Sequence, residues 1–208
     1  MPLREDTRAQ LLDSATRLFA SRGFYGASLA NIAEALGLTK QALLHHFGRK
    51  EKLYAEVLSR ISNRMLEQID AARAQYDSPQ DQLLAAMQSV YAISEQSPHE
   101  TRIIVRELLD SERRTEQVHS WYLQPFLDSL VDITRVIAGK QTLTKTDALT
   151  KIYPLLGAMS YFIVSDVVLE QMYGQANYRR MRRRYPDQIQ QQVYGLLNSL
   201  GSGSASAE

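Results

Sequence analysis

At 208 residues, 44% of them hydrophobic, the chain is long enough for a real core in one domain or in a small domain joined to a larger one. A net charge of +1 excludes a general polycation, so any nucleic-acid surface has to be local. The absence of cysteine excludes disulfides, thiol catalysis and cysteine zinc sites, and fits a reducing cytoplasm.

Helical spacing begins at once. Leu11, Leu12, Ala15, Leu18 and Phe19 form one face, and Gly23 stops that helix. Ser28 can cap a second helix with Leu29, Ile32, Ala33 and Leu36 inward, ended by Gly37. Thr39 can cap a short third helix reaching His46. After Gly48 a long helix runs from about 50 to 75, with Leu53, Val57, Leu58, Ile61, Met65 and Ile69 on one side.

Ser78-Pro79 and Ser97-Pro98 each read as a helix start with proline in the first turn. A longer helix is expected over 115–138, ended by Gly139. The most apolar helix begins at Thr144 or Thr146 and ends before Gly174. Its stretch 152–169 approaches bilayer-spanning length, but Pro154, Gly157, Ser160, Ser165 and Asp166 interrupt it and no second span accompanies it, so a helix buried on two sides is expected. The run Arg179-Arg180-Met181-Arg182-Arg183-Arg184 reads as a loop, either merely solvated or attracting phosphate. The last helix is expected after Pro186, and 201–208, rich in Gly, Ser and Ala, as a disordered tail. Without alternating strands or repeats, the fold class is all-α, about nine helices.

The segment that carries chemistry is 7–53. Two short helices separated by Gly37-Leu38 have the length and turn of a helix-turn-helix, completed by the first helix. The third helix then presents Lys40, Gln41, Ala42, His45 and His46 away from the core, polar or small enough for a major groove. Ser28, Thr39 and Lys50 are phosphate candidates. Residues 1–52 hold eight Lys/Arg against five Asp/Glu, a local +3. No His/Asp/Glu set has metal-ligand spacing, and no nucleophile or cofactor motif suggests an enzyme.

The residues Thr7-Arg8, Leu11-Leu12, Ala15, Leu18-Phe19-Ala20, Gly23-Phe24, Ala27-Ser28-Leu29, Ile32-Ala33, Leu36-Gly37-Leu38-Thr39-Lys40, Leu43, His46-Phe47 and Lys50-Glu51-Lys52-Leu53 closely resemble the N-terminal signature of the TetR family of transcriptional regulators. The resemblance implies a three-helix DNA-binding head over 1–52, a ligand-binding and dimerisation body over 53–200, and a homodimer on a near-palindromic operator. It also implies repression until a small molecule binds. One position departs: Leu44 stands where the family usually carries a tyrosine that contacts a phosphate, a bond leucine cannot make.

Pairing of the apolar eighth helix and the last helix with their copies would bury Tyr161, Val164, Val168, Ile189, Val193, Leu196 and Leu197; the alternative is that both helices lie within one core. Family resemblance places the effector pocket inside helices four to eight. The candidates there are Met65, Met87, Tyr91, Ile103, Trp121, Tyr122, Phe126, Tyr153, Met159 and Phe162, with Asp166 as the polar residue. Such a lining suits a hydrophobic or aromatic effector. The other reading is a nucleoid or partner-controlled DNA-binding protein of the same fold without a small ligand.

Overall fold

The computed structural model describes residues 5–110, 122–139 and 143–201. They form ten helices: α1 (Glu5–Gly26), α2 (Leu29–Glu34), α3 (Lys40–Phe47), α4 (Lys50–Gln75), α5 (Pro79–Gln96), α6 (Pro98–Asp110), α7 (Gln124–Ala138), α8 (Lys145–Val164), α9 (Asp166–Tyr173) and α10 (Gln175–Gly201). No strand occurs among the described residues. The chain divides into two compact units. One holds the described residues up to 61 and those from 99 to 122; the other holds 62–98 and the described residues from 123 onward. Helix α4 therefore contributes to both.

In the first unit, α1, α2 and α3 bury Leu11, Ala15, Phe19, Ile32, Ala33, Leu43 and Phe47. Ala33 is fully buried, and a larger side chain there would overpack the unit. Phe19 and Phe24 meet the ring of Tyr54 at 4.9 and 5.1 Å, edge to face, an arrangement aromatic quadrupoles favour. Gly23 (φ 68°) interrupts α1 as expected, but helical backbone resumes beyond it to Gly26.

Helix α6 joins this unit through buried Thr101 and Ile103. Its Arg106 donates to the carbonyls of Ala20 (3.0 Å) and Ser21 (3.4 Å) in α1, and Tyr54 donates to Glu107 (2.8 Å). Arg106 thus ties α6 to the last turn of α1 before the kink at Gly23. Replacing Arg106 by methionine, which keeps the length and removes both donors, should cost about 1–2 kcal/mol of stability. Thermal denaturation of the full chain measures it, and an unchanged Tm would show that water replaces the guanidinium without loss.

In the second unit, α5 lies amid α7, α8 and α10 and buries Leu83, Ala86, Met87, Val90 and Tyr91. Phe126, Leu130 and Ile133 of α7, Ile152, Met159 and Phe162 of α8, and Met65 and Ile69 of α4 complete the core.

Three sequence expectations change here. The apolar eighth helix is two helices, α8 and α9, bent by 62°. At the break, the Asp166 carboxylate accepts from the Val167 N–H (2.7 Å), a local bond that competes with continuation of the helix. No single helix among the described residues is long and apolar enough to cross a membrane.

The arginine run is not a loop: it lies in the first half of α10, which begins at Gln175 and contains Pro186 in its interior. Nothing in 175–185 breaks a helix, and the turn before the proline is anchored by Tyr185. Its hydroxyl donates to the Ala158 carbonyl (2.7 Å), and its ring stacks on Phe162 at 3.8 Å. The break at Ser165 raises the count from the expected nine helices to ten among the described residues, and the extension of α10 lengthens the last helix without adding one.

Lastly, Ile189, Val193 and Leu196 are buried within the single chain, so the apolar stripe of the last helix faces the core of its own unit rather than a partner. The start of the helix expected at 115 lies outside the described residues, and α7 is described from Gln124.

Candidate nucleic-acid interface

The helix-turn-helix is built by two caps and one turn. The Ser28 hydroxyl accepts from the Asn31 N–H (3.1 Å) and donates to the Asn31 side-chain oxygen (2.7 Å). The Thr39 hydroxyl accepts from the Ala42 N–H (3.2 Å). Caps of this kind contribute about 1 kcal/mol each. Between them Gly37 takes φ 65°, a left-handed conformation that side chains disfavour. The chain then turns back, with the Leu38 N–H donating to the Ala33 carbonyl (2.9 Å). Leu43 and Phe47 bury one side of α3, which fixes what the other side shows.

That other side carries Lys40, Gln41 and His45, all exposed, with Ala42 and His46 half-exposed. The rings of His45 and His46 meet edge to face at 5.2 Å. Leu44 is half-buried. The structure thus brings the predicted groove-facing residues of α3 together on one surface.

The phosphate candidates differ among themselves. Thr39 keeps its hydroxyl proton available, whereas both functions of the Ser28 hydroxyl are engaged by Asn31. Lys50 lies over the Phe24 ring at 4.6 Å, and burial against it holds the ammonium below the ordinary lysine range. Arg49, which sequence reasoning passed over, is exposed directly beside it. The signal was present in the run Gly48-Arg49-Lys50, where a glycine ends one helix and two cations open the next. Arg8 is occupied: it pairs with Glu56 and lies over the Phe47 ring.

The pocket candidates divide. Met65, Met87, Tyr91, Phe126, Met159 and Phe162 are buried in the second unit, whereas Ile103 is buried and Tyr122 half-buried in the first. Tyr153 is exposed, and half-buried Asp166 sits at the start of α9, binding its neighbour's amide. Trp121 lies outside the described residues. Around Tyr91 and Phe162 the second unit assembles an aromatic cluster with Tyr178 and Tyr185. Arg182 closes it by donating to Glu95 (2.6 Å). Burial, then the neighbouring Glu95 carboxylate, pushes the Tyr91 hydroxyl well above its usual titration range. A separate cleft of ≈ 320 Å³, lined by Arg73, Pro79, Gln82, Asp132, Ile133, Arg135 and Val136, involves none of the predicted residues.

Among the pairing candidates, Tyr161 and Val168 are exposed, while Val164 and Leu197 are half-buried. Val167, Met172 and Tyr173 extend the exposed apolar surface along α9, which has no buried residue of its own.

Two capped helices across a glycine turn, with a polar α3 surface, define a helix-turn-helix protein. Residues 11–57 match the family described as bacterial regulatory proteins, tetR family. The head is thus similar to that of the tetR family, and the fold of the chain is similar to that of a TetR-like regulator.

Over 64 residues it is 38% identical to the transcriptional repressor AcnR of Corynebacterium efficiens, covering 31% of this chain and 34% of that one. Over 101 residues it is 30% identical to the transcriptional activator FasR of Mycolicibacterium smegmatis, covering 49% and 46%. The matches thus span a third to a half of these curated relatives. A TetR-like transcriptional regulator from Rhodococcus sp. RHA1 superimposes with a TM-score of 0.63 at 20% identity, covering 100% of both chains. The transcriptional regulator FadR of Bacillus subtilis, solved with stearoyl-CoA, gives 0.63 at 16% identity over 94% of this chain and 98% of that one.

Proposed function

We propose that this chain is a ligand-responsive transcriptional regulator, a repressor in its unliganded state. It binds a near-palindromic operator as a homodimer through α3 and is released by a small hydrophobic effector. The observation that carries the reading is the α3 surface, where Lys40, Gln41 and His45 stand exposed on a helix whose opposite side is locked into the head by Leu43 and Phe47. Residues 1–52 serve as the DNA-binding head and 53–200 as the ligand-binding and pairing body. The exposed apolar residues Tyr161, Val168 and Met172 support pairing with a second copy. Two-fold symmetry then sets the recognition helices about 34–36 Å apart, one turn of duplex.

Effector control needs a ligand that prefers one of two states. The large side chains of the second unit's core, Met87, Tyr91, Phe126 and Met159 among them, suit a greasy ligand, and the Bacillus subtilis relative was solved with stearoyl-CoA. Helix α4, whose residues serve both units, is the element whose shift would carry the response.

Selection of duplexes from a random library by the full chain, followed by footprinting, tests the reading. We expect an inverted repeat with half-sites one turn apart, and release by a long-chain acyl-CoA such as stearoyl-CoA. Enrichment of no sequence, or of an isolated half-site, would refute the dimeric operator.

A further inference from the structure

The arginine run lies on a helix, and helical geometry sorts its members. Arg182 points to the core side of α10 and pairs with Glu95. Arg179, Arg180, Arg183 and Arg184 stand at i, i+1, i+4 and i+5, which places them on one continuous face, and all four are exposed. Among the described residues none of the four makes an ion pair or a hydrogen bond. The acid within one turn on this face is Asp187.

Like charges four residues apart repel each other and oppose the helix. In a chain with a net charge of +1, four uncompensated guanidinium groups on one face amount to a concentrated positive patch. We propose that this face of α10 is a second DNA contact, taking backbone phosphates of a duplex.

The chemistry favours that occupant. All four groups are arginines, whose planar forks bind phosphate through paired hydrogen bonds. Successive arginine pairs are about 6 Å apart along the helix axis, a spacing that presents them to a line of anions rather than to one. A membrane surface fits less well, because interfacial helices need an apolar side to insert. The other side of α10 is already packed on α5, α7 and α8 through Ile189 and Val193. The inference rests on the DNA-binding reading given above.

The test measures affinity of the full chain for a 30-base-pair duplex of random sequence (length about three turns of B-DNA) by fluorescence anisotropy across a salt series. Neutralising four phosphate contacts contributes about 3–4 units to the slope of log K against log salt for each protomer bound. The variant carrying Arg179→Gln, Arg180→Gln, Arg183→Gln and Arg184→Gln should lose that much slope. For each protomer bound, the wild type should therefore weaken roughly 100-fold more than the variant between about 50 and about 200 mM salt. Lysine at all four positions should restore the slope. Arg180→Gln and Arg184→Gln made singly, each expected to remove about 0.9 units per protomer bound, keep the test open if the quadruple variant folds poorly.

A head variant, Lys50→Ala, which removes a phosphate contact and not a base contact, separates the two ideas. Weakened binding by the head variant together with an unchanged slope in the glutamine variants overturns the arginine contact alone. Absence of any duplex binding by the wild type overturns both. Binding to phosphatidylserine vesicles that the glutamine variant loses, with duplex slopes unchanged, assigns the face to a membrane and overturns the proposal as well.

Discussion

Replacing Phe47 by alanine should lower the stability of the chain by about 3–5 kcal/mol, the range for truncating a buried aromatic side chain. The ring is fully buried and closes α3 against the rest of the head. Immediately after it Gly48 (φ 73°) ends the helix, its N–H donating to the Leu44 carbonyl at 2.7 Å, a bond that sliding of α3 into a void would have to break. The Arg8 guanidinium lies 5.3 Å above the ring and also pairs with Glu56 of α4. Phe47 therefore ties α1, α3 and α4 at one point. Urea denaturation followed by amide exchange of α3 measures the loss. A change below about 1 kcal/mol would mean that the surrounding side chains collapse into the space. Arg8→Ala should cost less, about 0.5–1 kcal/mol, since it removes an exposed cation from the ring face while leaving the core filled.

The head was legible because its signals are local. A glycine at 37 and hydroxyls at 28 and 39 specify a turn and two caps within a dozen residues, and the structure uses all three in that way. The second unit was legible only in outline. Periodicity showed that Ile189, Val193 and Leu196 share a face, but not whether that face meets a second copy or the chain's own α5 and α8; only the packing decides it. The break after Val164 escaped because a serine and an aspartate within an apolar run read as tolerated interruptions, whereas they start a new helix. The arginine run reads as a loop from sequence because Pro186, a residue favoured at helix starts, follows it. Tyr185 contradicts that only through partners more than twenty residues away, Ala158 and Phe162. Arg106 carried no sequence signal at all, since its acceptors are backbone carbonyls 85 and 86 residues distant.

Alanine at Lys40, Gln41 and His45 together should abolish discrimination between the selected operator and unrelated duplex while leaving the fold intact. All three are exposed on α3, and alanine is at least as good a helix former, so the melting transition should not fall. Each side chain able to reach a base edge contributes about 1–3 kcal/mol of discrimination. Three of them lost together should weaken specific binding by well over 100-fold, roughly 3 kcal/mol or more. The contrast is with Lys50→Ala. Its ammonium lies at the opening of α4 against Phe24, a position suited to a phosphate and not to a base. That variant should weaken operator and random duplex equally and lower the salt slope by about one unit per protomer bound, with sequence preference retained. Should both variants instead weaken the two duplexes equally, α3 would be gripping the backbone alone. Half-buried Leu44, where the resemblance leads one to expect a tyrosine, would then mark a head that docks without that side chain's hydroxyl.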